Sequence, residues 1–369
     1  MRQQASIALF HGAGQPFELC TRNIAASNID EVLVQVSLAT ICGSDLHTCA
    51  GRRTAPTPCV LGHEAVGRIA APTQVRDAYG EPLHEGDRVT WSIMAACGAC
   101  EYCNKRDLPQ KCERLFKYGH AQSVAPHFLN GGFAEQICLR PGTAIYRIPD
   151  AVSDIEAAPL NCALSTVLGG LAILDPTGGS SAVVQGAGML GIYAACCLRE
   201  RGFEVVACVD RVAERLRIAE AFGATHTFNI SEKSAAEIGE ALQDLTEGRG
   251  IDFAVEVSGA EAALVNSLDW LGIGGDCLTL GYVFPHADVT VDAHKIVTKC
   301  LTVRGNHNYH PSALGDALRF VERTRDRYPF KDLVGAVYPL EEINAAFDRA
   351  MQGDLIRVGI NPRLEGKQF

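Results

Sequence analysis

Short apolar or alternating runs open the chain at Ser6–Phe10, Glu31–Leu38, Ala65–Ala70 and Asp87–Ser92, each cut off by glycine or proline. That pattern predicts strands of a Greek-key-like barrel or sandwich. Near residue 160 the rhythm changes. Strand candidates Ala182–Gln185, Val205–Val209, Phe253–Glu256 and Asp276–Leu280 now alternate with helix candidates Met189–Arg201 and Ala213–Phe222. Such alternation predicts a parallel, doubly wound α/β sheet. Helices are predicted again at Ala313–Arg325 and Leu340–Gln352, and a last strand at Arg357–Ile360. No repeat or low-complexity tract interrupts the order.

The turn after Ala182–Gln185 reads Gly186-Ala187-Gly188-Met189-Leu190-Gly191. Between a strand and a helix, these glycines allow a tight turn, close approach of a pyrophosphate and helix–sheet packing. The helix N-terminus supplies unpaired N–H donors for phosphate. Asp210 closes the next strand, where a carboxylate binds ribose hydroxyls and repels a 2′-phosphate, so NAD is expected over NADP. Arg211 beside it works against that preference.

Composition narrows the chemistry. The 369 residues suggest two or three domains. A formal charge of −10 disfavours a nucleic-acid partner. The start of the chain lacks a signal-peptide pattern and no long uncharged apolar run is evident, so a cytoplasmic protein without a membrane partner is expected. Fifteen cysteines, an odd number in a long chain, fit metal binding in a reducing compartment better than disulfides. Four of them, Cys97, Cys100, Cys103 and Cys112, have the spacing of a closed tetrahedral zinc site. A nucleic-acid-binding zinc ribbon is disfavoured by Glu101 and Glu113 beside the ligands.

A second constellation joins Cys42-Gly-Ser44-Asp45-Leu-His47 to Gly62-His63-Glu64. Cysteine plus histidine suits zinc, with Cys162 a candidate third ligand and one position left for substrate. Zinc there lowers the pKa of an alcohol. Asp45 and Glu64 are candidates to accept the free ring N–H of His63 and fix its tautomer. Ser44 and His47 could pass the alcohol proton to solvent. Taken singly, each residue has a structural reading; their coincidence with a dinucleotide loop favours catalysis.

These pieces, with Gly86-Asp87-Arg88-Val89, stand in the order found in the zinc-containing medium-chain alcohol dehydrogenases, which the chain resembles along nearly its whole length. The resemblance implies two zincs per chain: a catalytic one on Cys42, His63 and Cys162, and a structural one on the four cysteines. It implies NAD, a Ser44–His47 proton relay, Thr166 at the nicotinamide, Arg357 at the pyrophosphate and Arg215 near the adenosine ribose. A GroES-like β-rich catalytic domain would comprise 1–163 and 307–369 and a Rossmann domain 164–306, with the active site between them, in a homodimer or homotetramer. Eight residues separate Cys103 from Cys112, one more than is usual in the family.

The runs Phe10–Phe17, Val89–Ser92, Leu108–Cys112 and Leu115–His120 also resemble a bacterial branch encoded beside phosphonate-catabolism genes. That resemblance implies a hydroxyalkyl phosphonate substrate, with Arg52, Arg53, Lys117 and His120 as its candidate partners. A carbonyl reductase or polyol dehydrogenase of the same fold, and a non-catalytic nucleotide-binding protein, are the other readings.

Overall fold

The computed structural model describes residues 4–24, 30–125, 127–176, 179–283 and 287–364. Along the chain run β1 (Gln4–Phe10), β2 (Glu18–Asn23), β3 (Val32–Thr40), α1 (Gly43–Cys49), β4 (Cys59–Val60), β5 (Glu64–Ile69), β6 (Arg88–Ala95), α2 (Glu101–Asn104), β7 (Phe116–Lys117), β8 (Gln136–Leu139) and β9 (Thr143–Arg147). Then come α3 (Asp154–Ala157), α4 (Ser165–Leu174), β10 (Ser181–Gln185), α5 (Met189–Glu200), β11 (Val205–Asp210), α6 (Ala213–Ala221), β12 (His226–Asn229), α7 (Ala235–Leu245), β13 (Ile251–Glu256), α8 (Glu261–Trp270) and β14 (Leu271–Thr279). The last are α9 (Ala293–Thr298), β15 (Thr302–Gly305), α10 (Ser312–Thr324), β16 (Val334–Pro339), α11 (Ile343–Met351) and β17 (Arg357–Asn361).

The chain divides into two compact units, one of Met1–Ser165, His310–Arg325 and Phe330–Phe369, the other of Thr166–Tyr309 and Asp326–Pro329. The short return of Asp326–Pro329 has no signal in the sequence. It is held by Tyr328, whose ring stacks on Phe222 at 5.9 Å and whose hydroxyl donates to Glu200 at 3.0 Å.

The first unit is β-rich. Its larger sheet runs β16-β17-β3-β5-β6-β7, with β8 on β3 and β9 on β6, and a smaller one runs β2-β1-β4. Val34, Val36, Ala65, Trp91, Phe133 and Ile360 contribute to the buried apolar interior. Burying the valine, phenylalanine and isoleucine side chains among them contributes about 1.5–3 kcal/mol each. In the centre of the sheet, β3 pairs antiparallel with both β5 and β17. That register places Thr40 opposite Glu64 on one side and opposite Gly359 on the other.

The second unit is a six-stranded parallel sheet in the order β12-β11-β10-β13-β14-β15. All five residues of β10 are buried, as a central strand requires. The order reverses at β10, the position where such sheets bind ligands outside their carboxyl ends.

Several elements escaped the sequence pattern. Helix α7 is announced by a capping box in which Ser234 and Glu237 bond each other's backbone. Strand β14 begins five residues before the predicted Asp276: Leu271 pairs with Ile251, a glycine-rich irregularity follows, and regular pairing with β13 resumes at Asp276. The predicted helix from Leu340 starts as a 3₁₀ turn, Leu340–Glu342, before α11. Contrary to the expectation of no such run, the helical stretch Asp154–Leu174 is long and apolar enough to cross a membrane. Its apolar part is 61% buried inside the protein, as for a core helix.

Candidate active site

The first unit gathers Cys42, His63, Glu64 and Cys162, whose donor atoms lie within 4.8 Å of one another. Each arrives by a different local device. Cys42 is the N-cap of α1, so its side chain sits at the helix start with Ser44, Asp45 and His47 on the next turn. His63 and Glu64 lead into β5 after Gly62, whose φ of 86° suits a residue without a side chain. Cys162 lies in a π turn, Leu160–Leu164, between α3 and α4. Such an inserted turn re-aims one side chain and is frequent at functional sites.

Two carboxylates were candidates to support His63, and the structure separates them. Asp45, 1% exposed, accepts the Cys42 N–H at 2.9 Å and places its other oxygen 3.5 Å from His63 Nδ1. Those two facing atoms, Asp45 Oδ1 and His63 Nδ1, are buried and make no closer hydrogen bond. His63 Nε2 points the other way and lies 3.4 Å from Ser44 Oγ. Burial opposes charge on the ring, but Asp45 and Cys42 outweigh it and raise the imidazole to about 10.

Glu64 takes no part in holding His63. Its Oε2 accepts from Thr40 Oγ1 at 2.6 Å and Arg357 Nε at 2.9 Å, and its Oε1 from Arg357 Nη2 at 3.0 Å. Arg357 was expected at a pyrophosphate. Its observed contacts are with Glu64, the Ile356 carbonyl and Cys42 Sγ, the last at 3.6 Å from Nη2. The reason is register: β5, β3 and β17 are neighbours, so Glu64, Thr40 and Arg357 meet across three strands.

One buried and one half-buried cysteine, with an imidazole backed by a carboxylate, are a zinc donor set in type and number. A hydrogen bond from Cys162, resisted by burial and aided by Arg357, lowers Cys42 well below an ordinary thiol. The orphaned Asp45–His63 pair fits an imidazole that binds metal through Nε2 and donates from Nδ1. The sequence reading missed Asn161, which lies fully buried beside Cys162 and donates to the carbonyls of His63 and Trp91, each at 3.1 Å.

The basic residues divide too. Arg52 Nε donates to His47 Nδ1 at 2.7 Å, so Arg52 belongs to the relay histidine rather than standing with the other three. Burial and then Arg52 lower His47, which favours its neutral form. Arg53, Lys117 and His120 group beside the metal cluster. The His120 ring meets His63 edge-on at 4.9 Å. Burial and then Arg53 bring the Lys117 ammonium down to about 8. Burial, His63, Lys117 and Arg53 together push His120 well down.

Cys97, Cys100, Cys103 and Cys112 form the second cluster, again with donor atoms within 4.8 Å. Backbone N–H groups of Cys97 and Arg114 reach Cys112 Sγ at 3.2 and 3.3 Å. Backbone N–H groups, Ala99 first, lower Cys97 to about 5. Between Glu101 and Lys111 only Gln110 is buried, so a metal would hold a loop that has no core of its own. Asp107, with φ of 53°, sits in the longer stretch before Cys112.

In the second unit the glycine turn has the geometry its pattern predicted. A Cβ at Gly191 would lie 1.7 Å from the Gly186 carbonyl oxygen, so the helix can approach the turn only with glycine there. A Cβ at Gly188, the N-cap of α5, would meet nothing, leaving room for a ligand. Met189 and Leu190 open the helix. Asp210 accepts from the Ala187 and Val212 N–H groups at 2.7 and 2.9 Å, which ties the end of β11 to the turn. Arg215 is half-buried on α6, and Thr166 half-buried on α4, one turn after Cys162. Glu256 was not foreseen: it ends β13 and accepts from the Ser258 and Gly259 N–H groups, both at 2.7 Å, building the neighbouring loop.

Comparison with known proteins gives the family and the fold. Residues 28–150 match the family described as the alcohol dehydrogenase GroES-like domain, and 190–323 match the zinc-binding dehydrogenases. The chain is 32% identical over 336 residues to 5-exo-hydroxycamphor dehydrogenase of Pseudomonas putida, covering 90% of this chain and 92% of that one. It is 28% identical to D-arabitol-phosphate dehydrogenase of Enterococcus avium, covering 91% of each. An alcohol dehydrogenase structure from Thermotoga maritima superposes with a TM-score of 0.90 at 28% identity, covering 98% of this chain and 100% of that one.

Proposed function

The chain belongs to the zinc-type medium-chain alcohol dehydrogenase family of oxidoreductases, and on that premise we propose that it moves a hydride between an alcohol carbon and NAD. The observation that carries this reading is the Cys42–His63–Cys162 cluster with Asp45 behind its imidazole. Bound zinc would polarise the substrate oxygen and bound nicotinamide would take the hydride. The residues supply the rest. Asp45 keeps His63 in one orientation, and Asn161 clamps the backbone that carries it. Ser44, beside His63 Nε2, is placed to accept the hydroxyl proton. His47, held neutral by Arg52, is suited to carry that proton onward. The Asp210 carboxylate at the glycine turn supports NAD over NADP.

The finer reading of the substrate is an anionic alcohol such as a hydroxyalkyl phosphonate. It is supported by Arg53, Lys117 and His120 beside the cluster, and by a relative named for an arabitol phosphate. Assembly as a dimer or tetramer is supported by the edge strand β15, exposed at all four residues, with Ile273 and Val297 85% and 75% exposed nearby.

The test is reduced-nicotinamide absorbance from zinc-loaded protein with NAD or NADP and a panel of simple alcohols, polyols, amino alcohols and hydroxyalkyl phosphonates. Turnover is expected with NAD, is expected to vanish in Cys42→Ala, and should be higher for a phosphonate than for its uncharged analogue. Activity retained in Cys42→Ala would refute the zinc assignment.

A further inference from the structure

Helix α1 ends in a glycine turn that fixes which residue lies over its last turn. Gly51 has a φ of 74° and its N–H donates to the Thr48 carbonyl at 3.1 Å, while the Arg52 N–H donates to the His47 carbonyl at 2.9 Å. This pair of bonds folds the residue after the glycine back over the helix, where an apolar contact frequently joins the two. Here the two residues are Arg52 and His47, and their contact is polar: Arg52 Nε donates to His47 Nδ1 at 2.7 Å. A guanidinium has only donors and keeps its protons, so Nδ1 is the acceptor and the neutral ring carries its proton on Nε2. Burial, then Arg52, disfavours a charged ring; Cys42 favours it and Arg53 disfavours it. His47 is half-buried and Arg52 is exposed, so the guanidinium is free to turn toward water.

A relay histidine takes a proton at one ring nitrogen and gives one up from the other. With Arg52 in place, neither nitrogen of the neutral ring can receive a proton. Nε2 already carries one, and the Nδ1 lone pair is taken by the guanidinium N–H. Protonating Nδ1 would break that bond and set two donors against each other. We propose that Arg52 is a positioning residue that gates the proton relay: bound to His47 it locks one tautomer and closes the ring to protons, and turned into solvent it opens it. The inference rests on the reading of His47 as the outer member of the relay. It gives Arg52 a role separate from that of Arg53, although the two are neighbours in the chain and both backbone N–H groups bond the same His47 carbonyl.

The experiment compares wild type with Arg52→Met, His47→Asn and the double variant. Methionine keeps an apolar stem over α1 and removes the donor. The first readout is the nitrogen NMR spectrum of histidine-labelled protein, with the His47 signals identified by their loss in His47→Asn. Wild type should show Nδ1 as a hydrogen-bonded acceptor, and Arg52→Met should move that signal to the position of an acceptor without a donor. The second is the rate at which diethyl pyrocarbonate acylates His47, followed by peptide mass at about pH 8, above the range where histidine ordinarily titrates. Arg52→Met should react about tenfold faster, the scale on which a charge-assisted hydrogen bond occupies the lone pair. The third is proton release to a pH indicator in a single turnover of a simple uncharged alcohol with NAD. It should quicken in Arg52→Met over wild type and not in the double variant over His47→Asn. An unchanged Nδ1 signal, acylation rate or proton release in Arg52→Met would overturn the gate and leave the relay reading standing, as would release that quickens equally without His47. Proton release no slower in His47→Asn than in wild type would overturn the relay reading and the gate with it.

Discussion

Asp45→Asn tests whether the buried carboxylate behind His63 supports metal binding. Asp45 makes two separable contacts, one to the Cys42 N–H at 2.9 Å and one toward His63 Nδ1 at 3.5 Å. Asparagine can keep the first through its carbonyl oxygen. Its amide then faces the imidazole N–H donor with a second donor, and the ionic partner is gone. Charge-assisted hydrogen bonds contribute about 1.5–3 kcal/mol. At about 1.4 kcal/mol per factor of ten, the metal should bind about 10–100-fold more weakly. Asp45→Ala should cost about 1–3 kcal/mol more, because the Cys42 N–H is then also left unpaired where Cys42 is 7% exposed. Zinc transfer to a chelator reads the effect, and the four-cysteine zinc in the same chain is the internal control. Release from Asp45→Asn at the wild-type rate would refute the claim that Asp45 orients His63 for the metal.

Two further outcomes follow from other parts of the chain. Gly191→Ala puts a methyl 1.7 Å from a carbonyl oxygen, so the turn must shift; overpacking of this kind costs about 1–3 kcal/mol. NADH affinity by fluorescence titration should fall at least about tenfold while zinc content stays at wild type, and unchanged affinity would remove the turn from the dinucleotide site. For Lys117, burial lowers the ammonium to about 8, so its charge is present below that pH and lost as pH rises through it. KM for a hydroxyalkyl phosphonate should therefore be flat to about pH 8 and then climb toward about tenfold per unit. Lys117→Arg should flatten the climb, and an uncharged analogue should show none. A parallel climb for the analogue would place the titrating group elsewhere.

Much of the chemistry was legible in the chain itself, because it depends on short spacing. Strand, glycine turn, helix and terminal carboxylate follow one another in β10, Gly186–Gly191, α5 and Asp210, and hydrogen bonds between near neighbours complete the motif. The same holds for Cys97, Cys100, Cys103 and Cys112, which lie within one loop and need only chain flexibility to converge. Pairings set by strand register were not legible. Glu64 and Arg357 are 293 positions apart, and nothing local to either says that β5, β3 and β17 will be neighbours. Only the fold could choose Asp45 over Glu64 as the partner of His63, turn Arg52 toward His47, and set Lys117 and His120 beside the cluster. Residue type and spacing determined the two donor sets and the glycine turn. The burial and register of distant strands decided which charge faces which ligand, because electrostatic contacts gain their strength only where tertiary packing excludes water.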